Sequence, residues 1–201
     1  MKEALQHLTL ADPVMAEIIA RVGPYTLSRR EPTFETLARS ITFQQLSGKA
    51  AGTIFARLKK AVGRRFTAPA FLRLSVEELR ACGLSRQKIS SLQDLAERVA
   101  RREIIFRKLL RLQDEEIILQ LSQVRGVSVW TAQMFLIFAL ERPNVLPLSD
   151  LGVRSAIRKA YGLEQLPNAA EMTAIAEKWH PYCSVASWYL WRSLDPLPVQ
   201  Y

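Results

Sequence analysis

The sequence predicts an all-α fold, a compact unit of one or two lobes, and three observations carry its all-helical character. Apolar residues recur at helical spacing in block after block. Helix punctuation is frequent, as in Asp12-Pro13, Ser75-x-x-Glu78 and Asn168-x-x-Glu171. The β-branched alternation of a half-buried strand is hard to find. At 201 residues and 49% hydrophobic, the chain can bury one sizeable core, so residues 1–201 are expected to form a single domain.

The elements follow in order. Asp12 reads as an N-cap with proline at the first helical position, leading to a stop at Gly23-Pro24. From Thr33 to Phe43, the residues Phe34, Leu37, Ala38 and Ile41 lie on one helical face. Gln44-Gln45-Leu46-Ser47 breaks that run before a helix over Gly48 to Val62. Ser75 and Glu78 form a capping box for a short helix that ends at Gly83. A glycine turn then precedes a helix with Ile89, Leu92, Leu95, Ala96 and Val99 on one face. Arg86 and Lys88 at its start are candidates for a phosphate contact or for an ordinary solvated basic face. Asp114-Glu115-Glu116 opens a further helix with the charge its dipole favours. Asn168-x-x-Glu171 starts another, through Lys178. The last block holds three of the four tryptophans, Trp179, Trp188 and Trp191.

The chain is organised around Val124 to Asp150. Gly126 lies between apolar neighbours, where a sharp reversal with positive φ is cheap only for glycine. Ser128 can cap a helix over Val129 to Leu140, which has almost no charge and is expected to be buried nearly all round. Pro143 and Pro147 punctuate the exit. Asp150 then opens the run Leu151 to Tyr161, which Gly162 closes.

Composition narrows the function classes. The net charge of +9 suits a polyanionic partner, although a basic balance alone is modest evidence. Two cysteines, Cys82 and Cys183, are too few for a disulfide framework or a four-cysteine cluster. No stretch has the length of a membrane span, and the start lacks the pattern of a secretory leader. A monomer in a reducing cytoplasm, or in a nucleus, is therefore expected, without membrane or cofactor. His7 and His180 suggest neither a metal site nor a pH switch.

The stretch from Val124 to Asp150 resembles the helix-hairpin-helix (HhH-GPD) DNA glycosylases, whose hairpin reads roughly hydrophobic-x-Gly-hydrophobic-Gly-x-x-Thr-Ala. Gly126, Val127, Thr131 and Ala132 match it, and Asp150 stands 20 residues beyond Trp130, at the spacing of the family's catalytic Asp. Trp179-His180-Pro181-Tyr182 resembles the family's closing Trp-x-Pro-aromatic block. Two positions depart from the pattern: Ser128 replaces the second hairpin glycine, and Cys183 replaces a usual arginine.

The resemblance implies a lobe built from both termini and a central helical lobe containing the hairpin near 124–131. It implies that Arg125, Gly126, Val127, Ser128 and Val129 grip a phosphate of double-stranded DNA, helped by a monovalent cation on backbone carbonyls, with no other metal and no cofactor. A turn running into a helix N-terminus is suited to that task, because it aims free N–H groups at an anion irrespective of base sequence. Gln44-Gln45-Leu46-Ser47 is similar to a Gln-x-x-Ser element of the family, and that resemblance implies Gln45 as a wedge in the base stack, with Leu46 beside it. An ordinary interhelical turn with a serine cap is the other reading of those residues.

Relatives that form a Schiff base carry a lysine at the position of Trp130, so the alignment implies monofunctional hydrolysis. Asp150 would stabilise an oxocarbenium-like sugar and orient water. Trp130, Met134, Trp191 and Tyr182 would line the pocket for the extruded base. A pocket rich in aromatic surface attracts cationic alkylated purines such as 3-methyladenine or 7-methylguanine. Two alternatives stay open: a deaminated, etheno or mismatched base as substrate, or a non-catalytic DNA-binding module, for which Asp150 would serve only as a helix cap.

Overall fold

The computed structural model describes residues 1–194, in which the chain forms helices and no strand. In order these are α1 (Lys2–Ala11), α2 (Pro13–Val22), α3 (Phe34–Phe43), α4 (Gly48–Val62), α5 (Ala68–Phe71), α6 (Val76–Ala81), α7 (Arg86–Ala100), α8 (Phe106–Leu109), α9 (Asp114–Ser122), α10 (Val129–Phe138), α11 (Leu151–Ala160), α12 (Ala169–Ala176) and α13 (Cys183–Leu194). A 3-10 turn over Glu177–Trp179 follows α12. The chain divides into two units. Among the described residues, one joins Met1–Arg29 to residues 136–194, and the other is Arg30–Phe135. The division falls inside α10.

The unit of the termini is built on α13, in which every residue from Cys183 to Trp191 is buried. Helices α2 and α11 pack on it, and α1 packs on α2. Asp12 joins these helices twice over. It is the N-cap of α2, accepting from the Val14 N–H at 3.0 Å. Fully buried, it also accepts from the Tyr161 hydroxyl and from Trp179 Nε1 at 2.8 Å, with Lys178 Nζ at 3.3 Å. A buried carboxylate persists only with such partners. Helix α1 was not expected from the sequence: it buries only Ala4 and Leu8, too few to show a stripe.

The central unit packs α3, α5 and α6 against α7, with α4 on α3. Phe34, Phe55, Phe66 and Phe71 form an aromatic chain between these helices, with neighbouring ring centroids 5.5–6.0 Å apart. Helix α4 keeps its expected bounds with Ser47 as its side-chain cap, and α3 starts one residue later than expected, with Thr33 as its cap. Helices α5 and α8, four residues each, are too short for any periodicity to reveal.

Helix α10 is shorter than expected, ending at Phe138 rather than Leu140. The Arg142 N–H turns back to the Leu136 carbonyl at 3.0 Å, and Glu141 takes a positive φ of 52°. Its burial is as the sequence implied, with Thr131, Ala132 and Met134 through Ala139 all buried.

Candidate nucleic-acid interface and carboxylate site

In the central unit the hairpin turns where glycine requires it. Gly126 has φ +75°, and a Cβ built there would lie 2.6 Å from Ser91 Oγ. The Val127 N–H closes the turn on the Val124 carbonyl at 3.0 Å. Ser128 then caps α10, its Oγ accepting from the Thr131 N–H at 3.2 Å, so serine at this position does a capping job that glycine cannot. The hairpin is held from α7: Asp94 accepts the Arg125 N–H at 2.7 Å, and Arg125 Nη1 donates to Ser90 Oγ at 3.0 Å. Among the described residues nothing accepts from the N–H groups of Gly126, Ser128 or Val129. Arg125, Gly126, Ser128 and Val129 are exposed and Val127 is buried.

The turn after α3 stands in the same unit. Gln45 and Leu46 are both exposed, and Gln45 has φ 56°, a left-handed conformation that costs a non-glycine residue ~1 kcal/mol or more. Gln44 Nε2 reaches across to the hairpin, donating to the Gly126 carbonyl at 3.0 Å and to Thr131 Oγ1 at 3.1 Å.

Lys88 corrects the sequence reading. Instead of facing a phosphate, its Nζ points inward and donates to the carbonyls of Ile41, Thr42 and Gln44, each at 2.8 Å. Those carbonyls belong to the C-terminal end of α3, where intrahelical donors run out. Burial pushes the ammonium below its ordinary range. Arg86, on the same helix, remains exposed.

In the unit of the termini, Asp150 is the N-cap of α11 and is 4% exposed. Its Oδ1 accepts from the Val153 N–H at 2.7 Å and from Trp191 Nε1 at 2.8 Å. The Trp191 ring is buried and stacks on Phe138, with centroids 5.7 Å apart and planes at 23°. Gly152 leaves room for this contact, since a Cβ there would lie 3.0 Å from Trp191 Cδ1 and 3.1 Å from Asp150 Oδ1. The loop that delivers Asp150 is tied to the start of α13. Ser184 Oγ donates to the Arg142 carbonyl at 2.6 Å and accepts from the Val145 N–H at 2.9 Å. The Ser184 N–H reaches the Pro143 carbonyl at 2.9 Å.

The remaining expected pocket residues are placed as follows. Trp130 is half-buried on α10, while Met134 is 2% exposed. Tyr182 is set against α1, its ring edge-on to His7 at 5.4 Å. Cys183 is buried at the head of α13, and burial pushes its thiol up to about 12. Gly152, Gln44 and Asp94 escaped the sequence reading. Only Gly152 left a signal there, because a glycine inside a helix costs ~1 kcal/mol against alanine unless packing demands it.

Comparison with known proteins shows the family. The family model of the HhH-GPD superfamily base excision DNA repair proteins matches residues 38–181, and the chain belongs to that superfamily. It is similar to DNA-3-methyladenine glycosylase 1 of Schizosaccharomyces pombe, with 35% identity over 194 residues, covering 93% of this chain and 85% of the relative. A solved S. pombe 3-methyladenine DNA glycosylase, in complex with abasic DNA, superposes with TM-score 0.84 at 34% identity, covering 94% of this chain and 95% of that one. A DNA-3-methyladenine glycosidase from Bacillus halodurans gives TM-score 0.86 at 30% identity, covering 96% and 89%.

Proposed function

We propose that the protein is a monofunctional DNA glycosylase that hydrolyses the N-glycosidic bond of alkylated purines, 3-methyladenine foremost, in base-excision repair. One observation carries the reading. Asp150 is a buried carboxylate fixed by a tryptophan N–H as well as by its own helix, whereas a cap alone needs only the helix. The names of the similar proteins support the substrate class.

The chemistry follows from the residues. The exposed turn at Gly126 and the N-terminus of α10 present N–H groups to a DNA phosphate, so binding is independent of base sequence and falls steeply with salt. Gln45, exposed and held at a positive φ, enters the gap left by the departing nucleotide, with Leu46 beside it. Aromatic surface for the extruded base comes from Trp191, beside Asp150, offsetting an unstacking cost of a few kcal/mol. The C1′–N bond breaks with its electron pair leaving on the base, and an alkylated purine is already cationic, so little acid catalysis is needed. Asp150 stabilises the positive sugar and orients the water whose oxygen bonds to C1′, the water's proton passing to solvent. Trp130 offers no amine for a Schiff base, so strand cleavage does not follow.

The segment 122–127 offers neutral oxygens to a monovalent cation: backbone carbonyls at the end of α9 and the buried Ser122 Oγ, which has no hydrogen-bond partner among the described residues. That donor set fits a monovalent ion rather than a transition metal. A cation there would add positive charge beside the phosphate.

The test is a set of single-lesion duplexes carrying 3-methyladenine, 7-methylguanine, 1,N⁶-ethenoadenine, hypoxanthine or a mismatched thymine, scored for base release and, separately, for strand nicking without added base. Release of methylpurines without nicking is expected. Release confined to the other lesions would overturn the substrate class, and nicking would overturn the monofunctional mechanism.

A further inference from the structure

We infer that Lys88 is a positioning residue for base extrusion: it holds the turn at Gln44 to Leu46 rigid and, through Gln44, joins that turn to the phosphate-gripping hairpin. This rests on the proposed function, since it assigns the turn to the lesion gap.

The geometry comes entirely from the central unit. Lys88 spends all three ammonium protons on main-chain carbonyls, those of Ile41, Thr42 and Gln44 at 2.8 Å each. No carboxylate pairs with it among the described residues. A lysine that saturates carbonyls and lacks an ionic partner acts as a helix cap delivered from another helix.

The third carbonyl is the informative one, because it belongs to the peptide that leads into Gln45. Gln45 is exposed and left-handed, and such a conformation persists only where the surroundings over-determine it. Lys88 fixes the backbone on the near side of Gln45. The Gln44 side chain ties the same residue to the Gly126 carbonyl and to Thr131 Oγ1. Among the described residues Gln45 makes no side-chain hydrogen bond, so its amide projects from a clamped base. Pre-organising the intercalating turn removes ordering entropy from the extrusion step, which is where binding energy is otherwise lost.

The test compares wild type, Lys88→Met and Gln44→Met on three readouts. These are affinity for undamaged duplex, fluorescence of a 2-aminopurine beside a stable abasic analogue, and single-turnover base release at saturating enzyme. Hairpin contacts from Asp94, Ser90 and Ser128 are untouched, so affinity for undamaged duplex should stay within ~3-fold. The fluorescence gain should be lost, and base release should fall ~10-fold or more at saturation. Folded variants that keep both the fluorescence gain and the release rate would overturn the inference. Should Lys88→Met not fold, Gln44→Met decides alone, since it leaves the Lys88 contacts in place. If wild type neither unstacks nor releases a base, the functional reading fails instead. The positioning claim is then decided by amide exchange over 42–47 and 124–131, where faster exchange in either variant supports it and unchanged exchange refutes it.

Discussion

Trp191 donates its indole N–H to Oδ1 of Asp150 at 2.8 Å, the same oxygen that accepts the Val153 N–H. A carboxylate held at one oxygen by two donors from different helices is fixed in direction, and stabilisation of developing charge requires that. Trp191→Phe keeps an aromatic ring against Phe138 while deleting the donor. Single-turnover base release should drop ~10-fold or more, on the scale of losing one hydrogen bond to a charged group. Affinity for duplex, measured by anisotropy, should change little. A Trp191→Phe protein with the wild-type rate would show that the contact is structural only.

Gly152 separates packing from helix propensity. Replacing an ordinary helical glycine by alanine stabilises by up to ~1 kcal/mol. Here the new Cβ would lie 3.0 Å from Trp191 and 3.1 Å from Asp150, so the indole or the carboxylate must move. Gly152→Ala should therefore gain no thermal stability and should slow base release. A raised melting temperature with full activity would contradict this placement of the two side chains.

Much of this architecture was legible in the sequence, because helix caps and apolar stripes are local signals. Asp12, Ser75, Asn168 and Asp150 all cap the helices they were expected to cap. What escaped notice depended on tertiary contact. Helix α1 buries two side chains in ten residues, so its pattern is silent. Lys88 read as a surface cation because nothing in its neighbourhood of sequence announces carbonyls more than forty positions away. The partnership of Asp150 with Trp191 spans 41 residues, beyond any local rule.

The Gly126 turn carries two separable costs. Gly126→Ala must adopt φ +75° and also displace Ser91 Oγ, 2.6 Å from the new Cβ. Denaturant unfolding should show a loss of ~1–2 kcal/mol or more. Adding Ser91→Ala should recover part of it by removing the clash while leaving the backbone strain. Full recovery in the double variant would mean that backbone conformation contributes nothing, and no recovery would mean that the clash does not occur.

Stability at acid pH should depend on Asp12. Burial pushes its carboxyl up, but hydrogen bonds from Tyr161 and Trp179, together with the Lys178 ammonium, outweigh that and hold it below its ordinary 3.8. A carboxyl lowered in the folded state stabilises above its unfolded value, and that contribution is lost as pH falls through the folded one. Wild type should therefore lose stability relative to Asp12→Asn as pH drops below ~4, although Asp12→Asn is the less stable protein at pH 7. Unfolding curves that run parallel from pH 6 to pH 3 would contradict this assignment.

The most direct measurement is base release from methylated genomic DNA by wild type and by Asp150→Asn, with the freed bases identified by mass. Asparagine is as good an N-cap as aspartate, so the variant should fold and bind duplex as wild type does. Wild type should release methylpurines, and Asp150→Asn should lose ~10²-fold or more of that rate. Equal release by both proteins would show that the reaction runs through another group and that Asp150 is only the cap of its helix.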